Sequence, residues 1–329
     1  MANFSAVNVN TNVEDDPEDD VFRDYDNLFR VFYNYPPALD PVSVANAYVE
    51  CKSLLQLADM YDALEVIGPR IDHHLLRFQG RLWKQIAKYP PSYLKLANLA
   101  RSRAIFAEAL VHVVGQWPQG ENQLRGRIPE QVLELIDDKV AELEELKSKV
   151  EAKLFRLTLT TSKGERVNPH NSYLDWLAMS LFRQWLAERT TPAPIPILKP
   201  SSRIDGSNCE GGGGNGSIVS RNDRYGSLGG TAGAVAPNIG RVFRKLGAGG
   251  DAYLTRDELK KFLKLRPEEY SRENLRRFER RIEELKNLAK DAVRPLMRNF
   301  LELDLGRDGG GLPYFTCTKL MEEDYPWDE

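Results

Sequence analysis

The sequence has little of what covalent or metal chemistry requires. Its three cysteines, Cys51, Cys209 and Cys317, are far apart and never form a C-x-x-C pair. That spacing excludes a disulfide framework and a structural zinc site, and it fits a reducing compartment. Histidine is equally sparse: His73 and His74 are neighbours on an expected helix and point in different directions, while His112 and His170 stand alone. No G-x-S-x-G, paired-carboxylate or Walker pattern occurs, and the glycines at Gly211–Gly214 lack the lysine and flanks of a phosphate loop. No run approaches the roughly 18 apolar residues of a membrane span. Met1–Asn10 shows neither a basic nor an apolar signal region. The net charge is only -3, too small to draw the whole chain to nucleic acid or an anionic membrane. A soluble, intracellular protein follows, nuclear or cytoplasmic, and not an enzyme. No catalytic residue, cofactor or metal is expected, and no membrane partner.

What is present is helical periodicity. Residues 1–20 end in an acidic run (Glu14, Asp15, Asp16, Glu18, Asp19, Asp20) with no apolar anchor, which predicts a disordered tail. Phe22, Tyr25, Phe29, Phe32 and Tyr33 then recur at steps of three and four, one face of a helix that Pro36-Pro37 ends. Ser43 or Asp40 can cap the next helix, whose stripe is Val44, Tyr48, Cys51, Leu54, Leu55, Ala58 and Tyr61. Further helices are expected over Val66–Phe78, Leu82–Tyr89, Ser92–Trp117 (one long or two short), Pro129–Leu157 and Tyr173–Leu186, with a β-branched, extended stretch at Leu154–Thr161. Ile136, Leu143, Val150 and Leu157 fall at every seventh position, but Lys139 and Lys153 break a coiled-coil seam.

Composition changes at Thr190. Residues 190–236 are rich in Pro, Gly and Ser and read as a disordered linker. Residues 237–329 return to helix, including a long amphipathic helix over Ser271–Leu303 that Pro295 should kink. Gly247–Leu259 has an EF-hand outline, yet Gly247 and Gly249 stand where carboxylate ligands belong, so a metal-free helix–loop–helix is favoured. Arg272, Arg276, Arg277, Arg280 and Arg281 alternate with Glu273, Glu279, Glu283 and Glu284, the pattern of a salt-bridged solvated face. Nucleic-acid binding by this arginine-rich helix at 271–294 is therefore only an alternative. The fold class is all-α: a multi-helical, orthogonal or bundle-like domain, the linker, and a small helical C-terminal segment.

Several stretches together carry a family resemblance. Glu-Asp-Asp-Pro-Glu-Asp-Asp-Val-Phe at Glu14–Phe22, Leu-Phe-Arg-Val-Phe-Tyr-Asn-Tyr-Pro-Pro-Ala-Leu at Leu28–Leu39, and Leu-Leu-Gln-Leu-Ala-Asp-Met-Tyr at Leu54–Tyr61 are the first three. Tyr89-Pro90-Pro91 and Ile105–Trp117 complete the set. The chain resembles the C-terminal part of a BTB/POZ domain with the helical extension common in fungal members, Met60 standing where the family often has lysine. The resemblance implies BTB-like helices at 21–78, a helical extension at 79–189, and nothing for the C-terminal segment 237–329. It also implies a non-catalytic protein–protein interaction scaffold or adaptor, in some members for cullin-type ubiquitin ligases. The early strands and the dimer and partner helices of the family have no counterpart here, so a truncated gene product is an alternative. Tyr48, Leu55 and Tyr61 are the expected partner-binding residues.

Overall fold

The computed structural model describes residues 17–191, 239–306 and 312–327. The linker expected at 190–236 and the acidic tail expected at 1–20 lie for the most part outside them. Every long element among the described residues is an α-helix, so the chain is all-α. The one β contact among them is an isolated antiparallel bridge between Thr160 and Arg166.

Local chemistry sets the breaks between helices. After α1 (Pro17–Phe32), Asp40 Oδ1 accepts the backbone N–H groups of Val42 and Ser43 at 2.7 and 3.0 Å. Those two backbone bonds hold the Asp40 carboxyl below its usual range. The Ser43 hydroxyl then caps α2 (Val44–Met60) through the Asn46 N–H. α3 (Leu64–Leu76) and α4 (Gly80–Lys88) follow, and Pro90 opens α5 (Pro90–Ala100), where a missing N–H costs nothing. Ser92–Trp117 is two helices: Arg101 adopts a left-handed conformation at φ 50° and Ser102 caps α6 (Arg103–Gln116). A short α7 (Glu121–Leu124) leads into α8 (Glu130–Phe155) and α9 (Tyr173–Thr190).

α6 is the centre of the molecule. Its residues from Ile105 through Val114 are buried with the sole exception of Ala107, the pattern of a helix enclosed on all sides. α4, α5 and α8 pack around it. On the neighbouring contact, α3 meets the end of α5 so closely that a Cβ on Gly68 would lie 2.6 Å from the Ala100 carbonyl oxygen. Gly68→Ala should therefore cost about 2 kcal/mol, since overpacking outweighs the better helix propensity of alanine. A denaturant melt equal to or above wild type would show that the two helices part freely.

The C-terminal helices join the same apolar cluster. α10 (Ile239–Ala248), α11 (Arg256–Lys264) and α12 (Arg272–Val293) contribute Phe243, Leu259, Phe278, Ile282 and Leu285, while α8 and α9 bring Val150 and Phe182. Thr255 and Glu258 form a capping box on α11, so the carboxylate of the EF-hand outline serves the helix terminus. Pro295 does not kink a continuing helix as expected. It stands in a 3-10 turn, Arg294–Met297, that ends α12, because proline removes the N–H that the next turn would need.

Beyond that turn, residues 298–306 and 312–327 run as a strap along α6. Glu108 accepts two strap N–H groups, from Glu302 at 2.7 Å and Leu303 at 3.1 Å. His112 Nδ1 lies 2.8 Å from the Tyr314 hydroxyl. Phe106 packs edge-on against Trp327 at 5.1 Å, and Lys139 on α8 pairs with Asp324 at 3.1 Å. Gly115 lets the strap backbone approach, as a Cβ there would meet the Phe315 carbonyl at 2.6 Å.

Candidate functional site

α1 presents two faces. Leu28 and Val31 face the core together with Asp24 and Asn27. Asn27 anchors the turn after the helix: its Oδ1 accepts the Ala38 N–H at 2.6 Å and its Nδ2 donates to the Ala38 carbonyl at 3.4 Å. Asp24 accepts a hydrogen bond from the Ser53 hydroxyl on α2, and burial raises its carboxyl above the usual range despite that bond. These polar contacts fix how the helix is rotated about its axis.

The aromatic stripe consequently points outward. Val21, Phe22, Phe29, Phe32 and Tyr33 are all exposed, Phe22 at 72% and Tyr33 at 76%. The stripe is one face of the helix as its spacing implies, and it is not the core side: at 100° per residue it fills the arc of about 120° beside the buried one. The rings pack on one another. Phe29 and Phe32 meet edge-on with centroids 6.4 Å apart, and Tyr25 meets Tyr61 at 6.2 Å with hydroxyls 3.1 Å apart. Through Tyr61 the face reaches the end of α2, where Met60 is 77% exposed.

The three expected partner-binding residues are separated by the fold. Tyr61 belongs to the exposed face. Tyr48 is half-buried against the Tyr93 ring at 4.8 Å, its hydroxyl 3.5 Å from the Ser92 carbonyl. Leu55 has no exposed surface, so its place on a docking face is corrected: it lies on the core side of α2 with Leu54 and Ala58. Phe22, Phe29, Phe32 and Met60 were the residues sequence reasoning missed. The available signal was that Leu28 and Val31 already supply a core stripe for a helix this short.

Titratable groups also converge elsewhere among the described residues. Burial pushes the Cys51 thiol up and the Cys317 thiol to about 11, which makes thiolate formation unfavourable at both. Glu108 and His112 are 1% and 0% exposed and 3.6 Å apart, enclosed under the strap that they hold. His74 directs Nε2 to the Asp40 carbonyl at 3.0 Å. On α9, Asp175 accepts Arg277 Nε and Nη2 at 3.1 and 3.0 Å and Arg281 Nη2 at 3.0 Å. Compared with known proteins, the chain matches no family model, no curated protein and no solved structure.

Proposed function

We propose that the chain is a non-catalytic, BTB-related interaction scaffold that docks a partner protein on the aromatic face of α1 and the end of α2. The observation that carries this is Phe22, Tyr25, Phe29, Phe32, Met60 and Tyr61 gathered on one surface, most of them open to solvent, although the helix has a separate buried side. Contiguous exposed aromatics of this kind mark interaction sites, and aromatic residues dominate binding energies at interfaces. The Leu54–Tyr61 element supplies the family side of the proposal. Arg277 and Arg281 are bound to Asp175, which leaves fewer cations on α12 for a nucleic-acid backbone and favours a protein partner.

The partner's chemistry follows from the surroundings. The acidic run Glu14–Asp20 leads directly into Val21-Phe22; Arg23 and Arg30 pair with Asp20 and Asp26 at 3.0 and 3.5 Å, so the excess negative charge comes from the rest of the run. The fitting occupant is an apolar helix or strand with basic residues at its rim, since opposite charges steer encounter and set register. Phe22→Ser combined with Phe29→Ser should weaken a purified binary complex by about a hundredfold, while the melting temperature of the free chain stays within about 2 °C because both rings are solvent-exposed. Titration calorimetry on a partner first captured from the source organism gives the measurement. Unchanged affinity in the double variant sinks the proposal. So does sedimentation showing that the wild-type face joins two copies of this chain and the variant does not.

A further inference from the structure

An open cleft of about 660 Å³ lies between α9, α12 and the turn that follows α8. Its lining is polar: Thr160, Thr161 and Ser162 on one side, Arg277, Arg280 and Arg281 on the other, with Asp175 at the base. Three guanidinium groups face two carboxylates, because Glu284 also lines the cleft. Asp175 is 2% exposed and binds Arg277 through Nε and Nη2 and Arg281 through Nη2. It thereby holds both side chains in place before any ligand arrives.

Arg277 Nη2 also donates to the Ser172 hydroxyl at 3.0 Å and Arg281 Nη2 to the Thr160 carbonyl at 2.6 Å, and donors remain after these bonds. Arg277 keeps Nη1, and Arg280 forms no ion pair among the described residues. The Thr161 hydroxyl is closed to solvent, so the hydroxyl open to a ligand on that side is that of the exposed Ser162. Glu284 pairs with Arg281 at 2.6 Å. It lies about two helical turns from Arg277 and about one from Arg280, and three guanidinium groups against two carboxylates leave the cleft with a net positive charge. Forked guanidinium groups beside hydroxyls suit a tetrahedral oxyanion. The cleft is far larger than such an anion alone requires and has room for the residue that carries it.

We infer that this cleft binds a phosphate monoester, held by Arg277 Nη1 and Arg280 beside the Ser162 hydroxyl, with the phosphorylated side chain of a peptide as its occupant. Calorimetry on the full chain at low ionic strength tests it with four probes. They are inorganic phosphate, a Gly-Gly-phosphoserine-Gly-Gly peptide, its unphosphorylated form and a short oligothymidylate. The phosphopeptide should bind and its unphosphorylated form should not, and affinity should fall as salt is raised. Arg280→Gln should weaken binding about tenfold or more and leave the thermal melt unchanged, since Arg280 is exposed. If inorganic phosphate binds with the same dependence on Arg280 and the peptide does not, the site stands with free phosphate as its ligand. Silence from both phosphate probes, binding indifferent to Arg280→Gln, or a preference for the oligothymidylate would overturn it.

Discussion

Glu108→Ala is expected to lower the unfolding free energy by about 3 kcal/mol, with the loss concentrated on the C-terminal strap. The carboxylate is 1% exposed and accepts the N–H groups of Glu302 and Leu303. Alanine leaves both donors without their acceptor and opens a void beside His112. An unsatisfied buried donor costs about 1–3 kcal/mol; Leu303 is half-buried and Glu302 exposed, so the lower part of that range applies to each, and the void beside His112 adds to it. Glu108→Gln should cost less, because the amide keeps one acceptor oxygen but turns an NH2 group toward a strap N–H. Tyr314→Phe removes only the hydroxyl 2.8 Å from His112 and should cost about 1 kcal/mol. Hydrogen exchange gives the decisive contrast. Amides 302 and 303 should lose protection in Glu108→Ala far more than those of α2 and α3. A uniform loss across the chain would mean that the strap is not separately held.

The second large effect is Asp175→Asn, expected to cost about 2–3 kcal/mol at neutral pH. The carboxylate is buried, and breaking such a pair leaves Arg277 and Arg281 facing a neutral amide. The lower part of the range for broken buried pairs applies because Arg277 is half exposed. Burial alone would raise the Asp175 carboxyl, but the hydrogen bonds from Arg277 and Arg281 outweigh it and hold the group below its usual value of 3.8. With the folded value depressed, the stabilisation is complete above the ordinary carboxylate range. It is lost as pH falls through the lower folded value. Wild type should therefore lose stability more steeply than Asp175→Asn as pH falls below about 4.

Asp24 supplies a contrast of opposite sign. Its carboxyl is raised by burial, so ionising it opposes folding as pH climbs from the ordinary value through the folded one. Asp24→Asn, which keeps a partner for Ser53, should leave stability at neutral pH equal to or above wild type. Urea melts at pH 7 and pH 3 on both variants separate the two cases. A loss in Asp24→Asn as large as that in Asp175→Asn would refute the assignment.

Helix positions were legible in the sequence, and what covers each face was not. Of the α2 stripe, Val44, Cys51, Leu54, Leu55 and Ala58 are buried as the spacing implies, while Tyr48 is half-buried and Tyr61 exposed. The α1 stripe of Phe22, Tyr25, Phe29, Phe32 and Tyr33 is just as periodic and faces out. Periodicity finds a face but does not say whether core or partner covers it. The contacts that settled the matter, Asn27 with Ala38 and Asp24 with Ser53, join residues 11 and 29 positions apart. For the same reason the arginines of α12 looked like a self-contained salt-bridged surface. Arg281 does pair locally with Glu284, but Arg277 and Arg281 also reach a carboxylate more than 100 residues earlier, and Glu279 pairs with Arg256. The strap has no period at all, so nothing in its residues announced that it lies along α6.

Glu108 and Glu302 are separated by 194 residues, and that separation sets a clock on the making of the protein. At about 5–20 residues per second, a ribosome that has just delivered α6 needs on the order of 10–40 s to deliver its cover. Throughout that interval the most apolar helix of the chain has no strap over Phe106, His112 or Gly115. Until then α4, α5 and α8 cover α6, and slow non-local closure lengthens the exposure of its strap-facing side. A ribosome stalled ahead of residue 302 would hold the protein in its most aggregation-prone form.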